Sequence, residues 1–384
     1  MLCISPPSSA GASSRIFKER LNMESERVFN FSAGPATLPV EVMEKAQAEF
    51  VNFRGIGYGI AEASHRSSAF EEVIDGAEAN VRKLLGVPDD YAILFLQGGA
   101  STQFAMVAMN LMLPGKPALY ADTGAWAAKA VKEAKLFGEV TELYSGADSE
   151  FTHIGDATQW AIDQEASYAY ICSNNTIRGT QYHFFPDTGD IPLVADMSSD
   201  ILSRRLDMSR FDLIFAGAQK NLGPAGVTLV IMKKELADRA ADTVPTMLKY
   251  STHIDKHSLF NTPPCFSIYM VGLVLEWLVE TGGLEEIETI NETKSHALYE
   301  FIDMSIFYQG TAEPGDRSKM NVTFRLPEEE LEALFVKEAA AVGLTGLKGH
   351  RSVGGIRASI YNAMPLAGVS TLIDFMADFE ERHG

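Results

Sequence analysis

Short, mostly apolar runs alternate with amphipathic segments along most of the chain, and this alternation is the strongest restriction on its fold. The runs read YAILFL, KPALYAD, YAYICS, IPLVADMSS, FDLIFAGA and GVTLVIM. The segments between them, such as SSAFEEVIDGAEANVRKLLG, carry apolar residues at helical spacing. Apolar strands that alternate with helices are typical of a parallel sheet covered on both faces. The sequence therefore predicts an α/β fold with a mostly parallel sheet.

The pattern changes near Gly282–Gly283, which indicates a second, smaller domain. A long charged amphipathic helix follows, and then a strand, a helix, a strand and a final helix. We predict a large domain at residues 41–283 and a small α+β C-terminal domain at 284–384. Residues 24–40 are expected to form an N-terminal strip that packs with the small domain.

The opening stretch MLCISPPSSAGASSRIFK contains no acidic side chain and is rich in serine. Residues 1–23 are therefore expected to be a disordered leader, or a misassigned start ahead of Met23. An organelle transit segment is the alternative interpretation.

The formal net charge of −19 argues against nucleic acid and anionic membranes as partners. A small anionic substrate remains possible, provided that the protein offers it a local cationic pocket. The cysteines, Cys3, Cys172 and Cys265, are too few and too scattered for a disulfide framework or a metal site. A reducing, cytoplasmic location is the expectation, unless the leader is a transit segment.

An acid and a lysine each follow an apolar run. Asp196 ends IPLVAD, and Lys220 ends FDLIFAGAQK. If both runs are parallel strands of one sheet, both side chains lie at the carboxyl edge, where open α/β sheets bind ligands. A lysine amine can form a Schiff base with pyridoxal phosphate, and a carboxylate can keep its pyridine nitrogen protonated. A structural ion pair would explain the two residues equally well.

The stretch FLQGGASTQF joins a predicted strand to a predicted helix. Gly98 and Gly99 permit close backbone approach, and the amides of Ala100, Ser101 and Thr102 would lie at the helix N-terminus. Such a terminus can bind a phosphate group. It is not a Walker loop, because no Gly-Lys-Ser follows, and a plain strand–helix turn is the alternative.

Two further positions suit an aromatic cofactor. Trp126, at a strand–helix junction, could lie on the flat face of such a cofactor, or it could be a core residue. Thr176, after the strand YAYICS, could donate a hydrogen bond to a phenolic oxygen, or it could serve a turn.

Basic side chains gather in two His-Arg pairs, His65–Arg66 and His350–Arg351, and Arg357 follows the second pair. These residues lie in Ser/Gly-rich loops or on a strand rather than on a charged helical face. The planar guanidinium binds carboxylates and phosphates with two hydrogen bonds. The pairs are therefore candidates for substrate binding.

Six stretches together resemble the phosphoserine aminotransferases, which are fold-type-I pyridoxal-phosphate enzymes of the class V aminotransferase group. The stretches read FNFSAGPATLP, SHR, GGASTQF, GAQKNLGPAG, LFNTPP and KGHRSVGGIRASIYNAMP. The resemblance runs from about Val28 to Gly384. It implies the fold-type-I architecture and pyridoxal 5′-phosphate as the cofactor.

The resemblance also implies roles for the residues nearest the cofactor ring. Lys220 resembles the lysine of the Schiff base, and Asp196 resembles the partner of the pyridine nitrogen. Trp126 resembles the residue that stacks on the ring, and Thr176 resembles the donor to its phenolic oxygen.

The cofactor phosphate would be shared between two chains. Ala100, Ser101 and Gln219 resemble its ligands in one subunit. Asn261 and Thr262 resemble the pair that the neighbouring subunit supplies, so the resemblance implies a homodimer.

The substrate carboxylate would lie between Arg66 and Arg357, and Ser32 of the N-terminal strip would lie near it. A separate pocket for the substrate phosphate would contain His65, together with His350 and Arg351, the last two lent by the partner chain.

The implied reaction transfers an amino group between L-glutamate and 3-phosphohydroxypyruvate and gives O-phospho-L-serine and 2-oxoglutarate, a step of serine biosynthesis. The resemblance also allows the phosphorylated hydroxythreonine step of vitamin B6 synthesis. Another fold-type-I activity is one rival; a cysteine desulfurase would have only Cys265 as a poor nucleophile candidate. A non-enzymatic interaction protein is the second rival. A nicotinamide dehydrogenase is excluded, because GIGYGI lacks the required spacing.

Overall fold

The computed structural model describes residues 27–384, and the leader predicted at 1–23 lies outside them. The helices of the described residues are α1 (Val40–Glu49), α2 (Ser68–Leu85), α3 (Gly99–Leu111), α4 (Ala125–Ala134), α5 (Tyr250–Asp255), α6 (Cys265–Glu280), α7 (Gly283–Met304), α8 (Glu329–Ala341) and α9 (Leu366–His383). The strands are β1 (Phe29–Asn30), β2 (Tyr91–Leu96), β3 (Ala118–Asp122), β4 (Val140–Ser145), β5 (Ala169–Cys172), β6 (Asn174–Asn175), β7 (Thr180–Gln181), β8 (Leu193–Asp196), β9 (Leu213–Gly217), β10 (Thr228–Lys233), β11 (Gln309–Gly310), β12 (Asn321–Arg325), β13 (Leu344–Thr345) and β14 (Ile356–Ser359).

A seven-stranded sheet in the order β2-β10-β9-β8-β5-β3-β4 forms the centre of the protein. Neighbouring strands are parallel except where β10 pairs with β2 and β9, to both of which it is antiparallel. The predicted mostly parallel sheet is confirmed. Strand β10 can run back beside β9 because antiparallel neighbours need only a short connection. Lys220 lies in that connection.

One strand of this sheet was not among the predicted runs. Strand β4 lies at the edge, where two of its six residues are exposed and the other four are half-buried, and its sequence VTELYS lacks the continuous apolar character of the buried strands. An edge strand needs less burial than a central one, and its sequence signal is correspondingly weak.

Both faces of the sheet are buried. In β2, Ile93 and Phe95 belong to the core beneath α1, α2 and α6, whereas Ala92 and Leu94 belong to the core beneath α3 and α4. Side chains that alternate between two buried faces explain why these strands read as uninterrupted apolar runs. No single helix within residues 27–384 is long and apolar enough to cross a membrane; α6 and α7 reach that length only as a pair bent by 84°.

A separate core belongs to the C-terminal part of the chain. The antiparallel sheet β11-β12-β14 packs with α7, α8 and α9 around aromatic side chains. Strand β1 pairs in parallel with β13, and Phe31 is fully buried in this second core. The N-terminal strip is thus joined to the C-terminal core, while the exact domain limits at 41–283 and 284–384 stay predictions.

Phe335 lies at the centre of the second core. It is fully buried, and its ring centre lies 5.0 Å from that of Phe375 and 5.1 Å from that of Phe379. We expect Phe335→Ala to lower the free energy of unfolding by about 3–5 kcal/mol, because the substitution leaves a cavity. Denaturant unfolding measures this loss. The control Phe184→Ala removes the same side chain from a position that is 77% exposed. Equal losses in the two variants would contradict this description of the core.

Candidate active site

A cavity of about 440 Å³ lies at the carboxyl edge of the large sheet. The segments that follow β2, β3, β5, β8 and β9 form most of its walls, in agreement with the edge predicted for ligand binding. The predicted site residues that line it are Ala100, Ser101, Trp126, Thr176, Asp196, Gln219, Lys220, His350 and Arg357.

Lys220 and Asp196 face this one cavity without pairing with each other. The Lys220 Nζ atom donates a hydrogen bond of 2.8 Å to Thr176 Oγ1 and lies 5.8 Å from the centre of the Trp126 ring. Asp196 is 4% exposed, and its Oδ1 atom accepts a hydrogen bond of 2.9 Å from the backbone amide of Ser198. Within residues 27–384 neither group has an ion-pair partner. The space between them can therefore hold a polar ligand that satisfies both.

Burial shifts the pKa values of the two groups in opposite directions. Burial lowers the pKa of the Lys220 amine, and the charge of Asp196 partly opposes this shift. Burial also raises the pKa of the Asp196 carboxyl, against the hydrogen bonds from Ser198 and the charge of Lys220. A lysine with a lowered pKa is more often neutral and hence more nucleophilic, which is typical of a reactive site.

A tight turn presents Lys220 to the cavity. The carbonyl oxygen of Ala218 accepts hydrogen bonds from the amides of Lys220 and Gly223, at 2.7 and 2.8 Å. The N-terminal strip crosses this turn, and the Ala36 amide donates a 2.9 Å hydrogen bond to the Gln219 carbonyl. At Gly34 a Cβ atom would lie 3.3 Å from the Cγ atom of Lys220, so a residue without a side chain suits this crossing.

The N-terminus of α3 forms another wall. Gly98 precedes the helix with a φ of 92°, and a Cβ atom there would lie 2.0 Å from Thr102 Oγ1, so glycine is required. The first amides of a helix have no acceptor within it. Those of Ala100 and Ser101 border the cavity, as predicted, and can bind an anion.

Two donors at the cavity have no acceptor. The Nε atom of Arg357 and the Nε1 atom of Trp126 are buried and have no hydrogen-bond partner among residues 27–384. Arg357 donates through Nη1 to the carbonyl oxygen of Thr176 at 3.2 Å, and no described acidic side chain pairs with it. A half-buried guanidinium without a counter-ion is suited to a ligand carboxylate.

These features together fit pyridoxal phosphate. The cavity offers an amine for the aldehyde, an unpaired buried carboxylate for the ring nitrogen, a helix N-terminus for the phosphate and an indole for the ring face. Each group lacks a complete set of partners without such a ligand.

The remaining predicted site residues lie outside the cavity of their own chain: Ser32, His65, Arg66, Asn261, Thr262 and Arg351. Arg66 and Arg351 are exposed. His350 is different, because the resemblance implied that the partner chain would lend it, yet it lines the cavity of its own chain. The reason is local: the loop that holds His350 is tied to its own strand β14 by the bridge between Lys348 and Ile356.

Several cavity residues were not predicted from the sequence, namely Ala33, Gly34, Cys172, Asn174, Ile177, Ser198 and Ser199. A signal was available for some of them. The polar run SNN follows a buried strand directly, and Ser198 and Ser199 follow Asp196 after one apolar residue, at the same sheet edge. Polar residues in that position commonly contact a ligand.

Comparison with known proteins gives the same family by three routes. The model of the family "Aminotransferase class-V" matches residues 28–372. The phosphoserine aminotransferase of Desulfosudis oleivorans is 54% identical over 94% of this chain and 100% of its own length. The solved structure of the phosphoserine aminotransferase from Bacillus circulans subsp. alkalophilus has a TM-score of 0.92 and 50% identity, covering 94% of this chain and 100% of that one.

A more distant structure agrees. The PLP-bound phosphoserine aminotransferase of Trichomonas vaginalis is 36% identical, with a TM-score of 0.87, and the match covers 91% of this chain and 100% of that chain. The fold-type-I architecture predicted from the sequence is confirmed. The chain belongs to the class V aminotransferases and, within them, to the phosphoserine aminotransferase family.

Proposed function

We propose that this chain is a pyridoxal-phosphate-dependent transaminase that transfers an amino group between L-glutamate and 3-phosphohydroxypyruvate. The products are 2-oxoglutarate and O-phospho-L-serine. The observation that carries the proposal is that Lys220 and Asp196 face one cavity, unpaired, between a helix N-terminus and an unpaired arginine. The names of relatives at 50% identity or more support the choice of substrates.

The residues divide the chemistry among them. When bound, pyridoxal phosphate supplies an electron sink for negative charge that develops at the substrate Cα atom. Lys220 would hold the cofactor and would also remove and return the proton at the substrate Cα atom, which contributes about 10²–10⁴-fold to the rate. Asp196 would keep the ring nitrogen protonated. Ala100, Ser101 and Gln219 would bind the phosphate.

Two groups of basic residues would distinguish the ends of the substrate. Arg357, which has no acidic partner in the described residues, would bind the α-carboxylate that glutamate and phosphoserine share. His350 and Arg351 would bind the distal anion, which is a carboxylate in one substrate and a phosphate in the other. Both anions accept charge-assisted hydrogen bonds, so the same two side chains can serve both.

A homodimer would complete each site. Asn261 and Thr262 would reach the cofactor phosphate of the neighbouring chain. His65 and Arg66 do not line the cavity of their own chain, and they would reach the partner's cavity across the dimer interface. Exposed apolar side chains near these segments support an interface: Phe50, Val51, Ile56, Tyr58 and Phe260 are 39–78% exposed.

The rival desulfurase interpretation has little support. Cys265 is the first residue of α6, and it does not line the cavity. Burial raises the pKa of its thiol, which makes the thiolate scarcer. A cytoplasmic location is part of our proposal, since the free thiols of Cys172 and Cys265 suit a reducing compartment.

Lys220→Ala should abolish transamination and also the visible absorbance of lysine-bound cofactor, because no other amine lines the cavity described here. A coupled assay with phosphoserine and an absorbance spectrum measure the two effects. Lys129→Ala is the matched control: its Nζ atom lies 4.2 Å from the centre of the Trp126 ring, but Lys129 does not line the cavity. Parent-like turnover in Lys220→Ala would rule out the proposed mechanism.

Arg351→Ala should reduce kcat/KM for phosphoserine more than for glutamate, because a dianion depends more strongly on the lost cation. Arg357→Ala should reduce both values similarly, by about 10–100-fold, the value of a charged hydrogen bond. Steady-state kinetics with the two amino donors measure the difference. If Arg351→Ala lowers both values by the same factor, the assignment of the distal pocket is wrong.

Mixing two inactive variants should restore activity if the cofactor site is shared. A hybrid of Lys220→Ala with Asn261→Ala/Thr262→Ala contains one site in which all three residues are intact. We expect turnover to appear after the two are refolded together, because the partner's pair completes the site of the chain that keeps Lys220. Refolding each variant alone is the control. An inactive hybrid of the correct dimeric mass would show that each chain uses its own Asn261 and Thr262.

A further inference from the structure

A buried lysine outside the cavity has no place in the mechanism above. Lys294 lies on α7 and is fully buried. Its Nζ atom donates to three backbone carbonyl oxygens, those of Ile360 at 3.0 Å, Tyr361 at 2.8 Å and Met364 at 3.0 Å. An ammonium group has three donor hydrogens, so all of them are used. No described acidic side chain pairs with it.

The three carbonyls belong to one short stretch, residues 360–364, which directly follows β14 and its Arg357. An apolar side chain in place of Lys294 would leave the carbonyl oxygens of Ile360 and Met364 without a donor, whereas that of Tyr361 also accepts a 2.9 Å hydrogen bond from the Met364 amide. Burial lowers the pKa of Lys294 to about 7, because the charged form is costly there. The Lys294 amine therefore donates to this stretch from a position where its charged form is costly.

The 360–364 stretch contacts the lysine turn of the cavity. The amide of Asn362 donates a 3.0 Å hydrogen bond to Asn221 Oδ1, and Asn221 is the residue next to Lys220. The side chain of Asn362 accepts a 2.8 Å hydrogen bond from Asn291, which is three residues before Lys294 on α7. Helix α7 thus binds residues 360–364 through two side chains on one of its faces, those of Asn291 and Lys294.

The same stretch also contacts the N-terminal strip. The Tyr361 hydroxyl donates a 2.8 Å hydrogen bond to the carbonyl oxygen of Ala33, which lines the cavity. Residues 360–364 therefore form hydrogen bonds with both the Lys220 turn and the N-terminal strip. Among the described residues that follow Arg357 in the chain, no other stretch does so.

We propose that Lys294 is a positioning residue for transamination: by holding residues 360–364 it sets the position of Arg357 relative to Lys220. The inference rests on the proposed function. Arg357 and Lys220 come from different sheets, so their separation depends on what ties the two cores together. A shift of about 1 Å at a reacting group can cost up to ~10²-fold in rate.

The test compares Lys294→Met with Lys294→Arg in the holoenzyme. Met keeps the length and removes the donors, whereas Arg keeps charge and donors. We expect Lys294→Met to raise KM for glutamate and for phosphoserine alike by about tenfold, since both use Arg357. Its Kd for glutarate, which carries both carboxylates and no amino group, should rise similarly in calorimetry. Lys294→Arg should recover part of both losses.

Lys319→Met is the matched control. Lys319, just before β12, also binds α7, through a 2.6 Å ion pair with Glu292, but its side chain forms no hydrogen bond or ion pair with residues 360–364. Its KM and glutarate Kd should equal those of the parent enzyme. A purely structural Lys294 would lower the melting temperature in Lys294→Met and leave KM and glutarate Kd unchanged in the folded enzyme; that result would overturn the proposal.

Lys294→Gln covers the case in which Lys294→Met does not fold. Its side-chain amide keeps two donor hydrogens but carries no charge and is shorter, so it cannot satisfy all three carbonyl oxygens. We expect a higher glutarate Kd for the folded Lys294→Gln holoenzyme too, and an unchanged value would overturn the proposal. Failure of the proposed function is a separate result: the parent enzyme would then bind pyridoxal phosphate without transaminating glutamate and phosphohydroxypyruvate.

Discussion

A half-buried amine and a buried carboxylate that stand near the ends of neighbouring strands, yet apart, are the constraint on which the rest of this structure depends. Strands β8 and β9 are paired with Asp196 opposite Phe215, so the chain runs on beyond the sheet edge before it reaches Lys220. Adjacent strands lie about 4.8 Å apart, close enough for direct pairing if the two side chains stood opposite each other. The turn at Ala218 instead places the amine to one side of the carboxylate, so that a cavity separates the two groups. Both groups have unfavourable pKa shifts there, a stability cost that active sites commonly carry.

The walls of the cavity are completed by residues of the C-terminal core, which is separate from the large sheet. Arg357 comes from the antiparallel C-terminal sheet and reaches the carbonyl oxygen of Thr176. Buried amides join the two cores directly, since Asn174 donates to Asn321 Oδ1 at 2.8 Å and accepts from Ser318 Oγ at 2.6 Å. A buried polar network with every partner in place restricts the relative orientation of the groups that it joins. The arginine and the lysine turn are therefore held by hydrogen bonds as well as by packing.

Much of this arrangement could be predicted because its signals are local. The buried strands appear as apolar runs, and Asp196 and Lys220 stand at their ends, where the topology brings ligand-binding residues together. Edge strand β4 was not predicted because its partly exposed sequence lacks a continuous apolar run. The direction of β10 leaves no mark in its own apolar sequence; only the short connection from β9 indicates it. The positions of His350 and Asn174 could not be predicted, because His350 borders a cavity built by segments far away in the chain and the partners of Asn174 lie in another core. Long-range hydrogen bonds leave no periodic pattern in a sequence.

The reversed strand β10 has a consequence for how the amine can travel. Because β9 returns at once as β10, the lysine lies in a closed connection whose ends are joined by the hydrogen bond from the Ala218 amide to the Val227 carbonyl, at 2.9 Å. The main chain beneath Lys220 is thus clamped at both ends. The Lys220 nitrogen must therefore change position by rotation about the bonds of its own side chain. In exposed side chains such rotations take picoseconds to nanoseconds, far less time than a loop rearrangement. In the proposed mechanism, proton transfer by Lys220 would therefore need rotation of its side chain and no movement of the main chain beneath it.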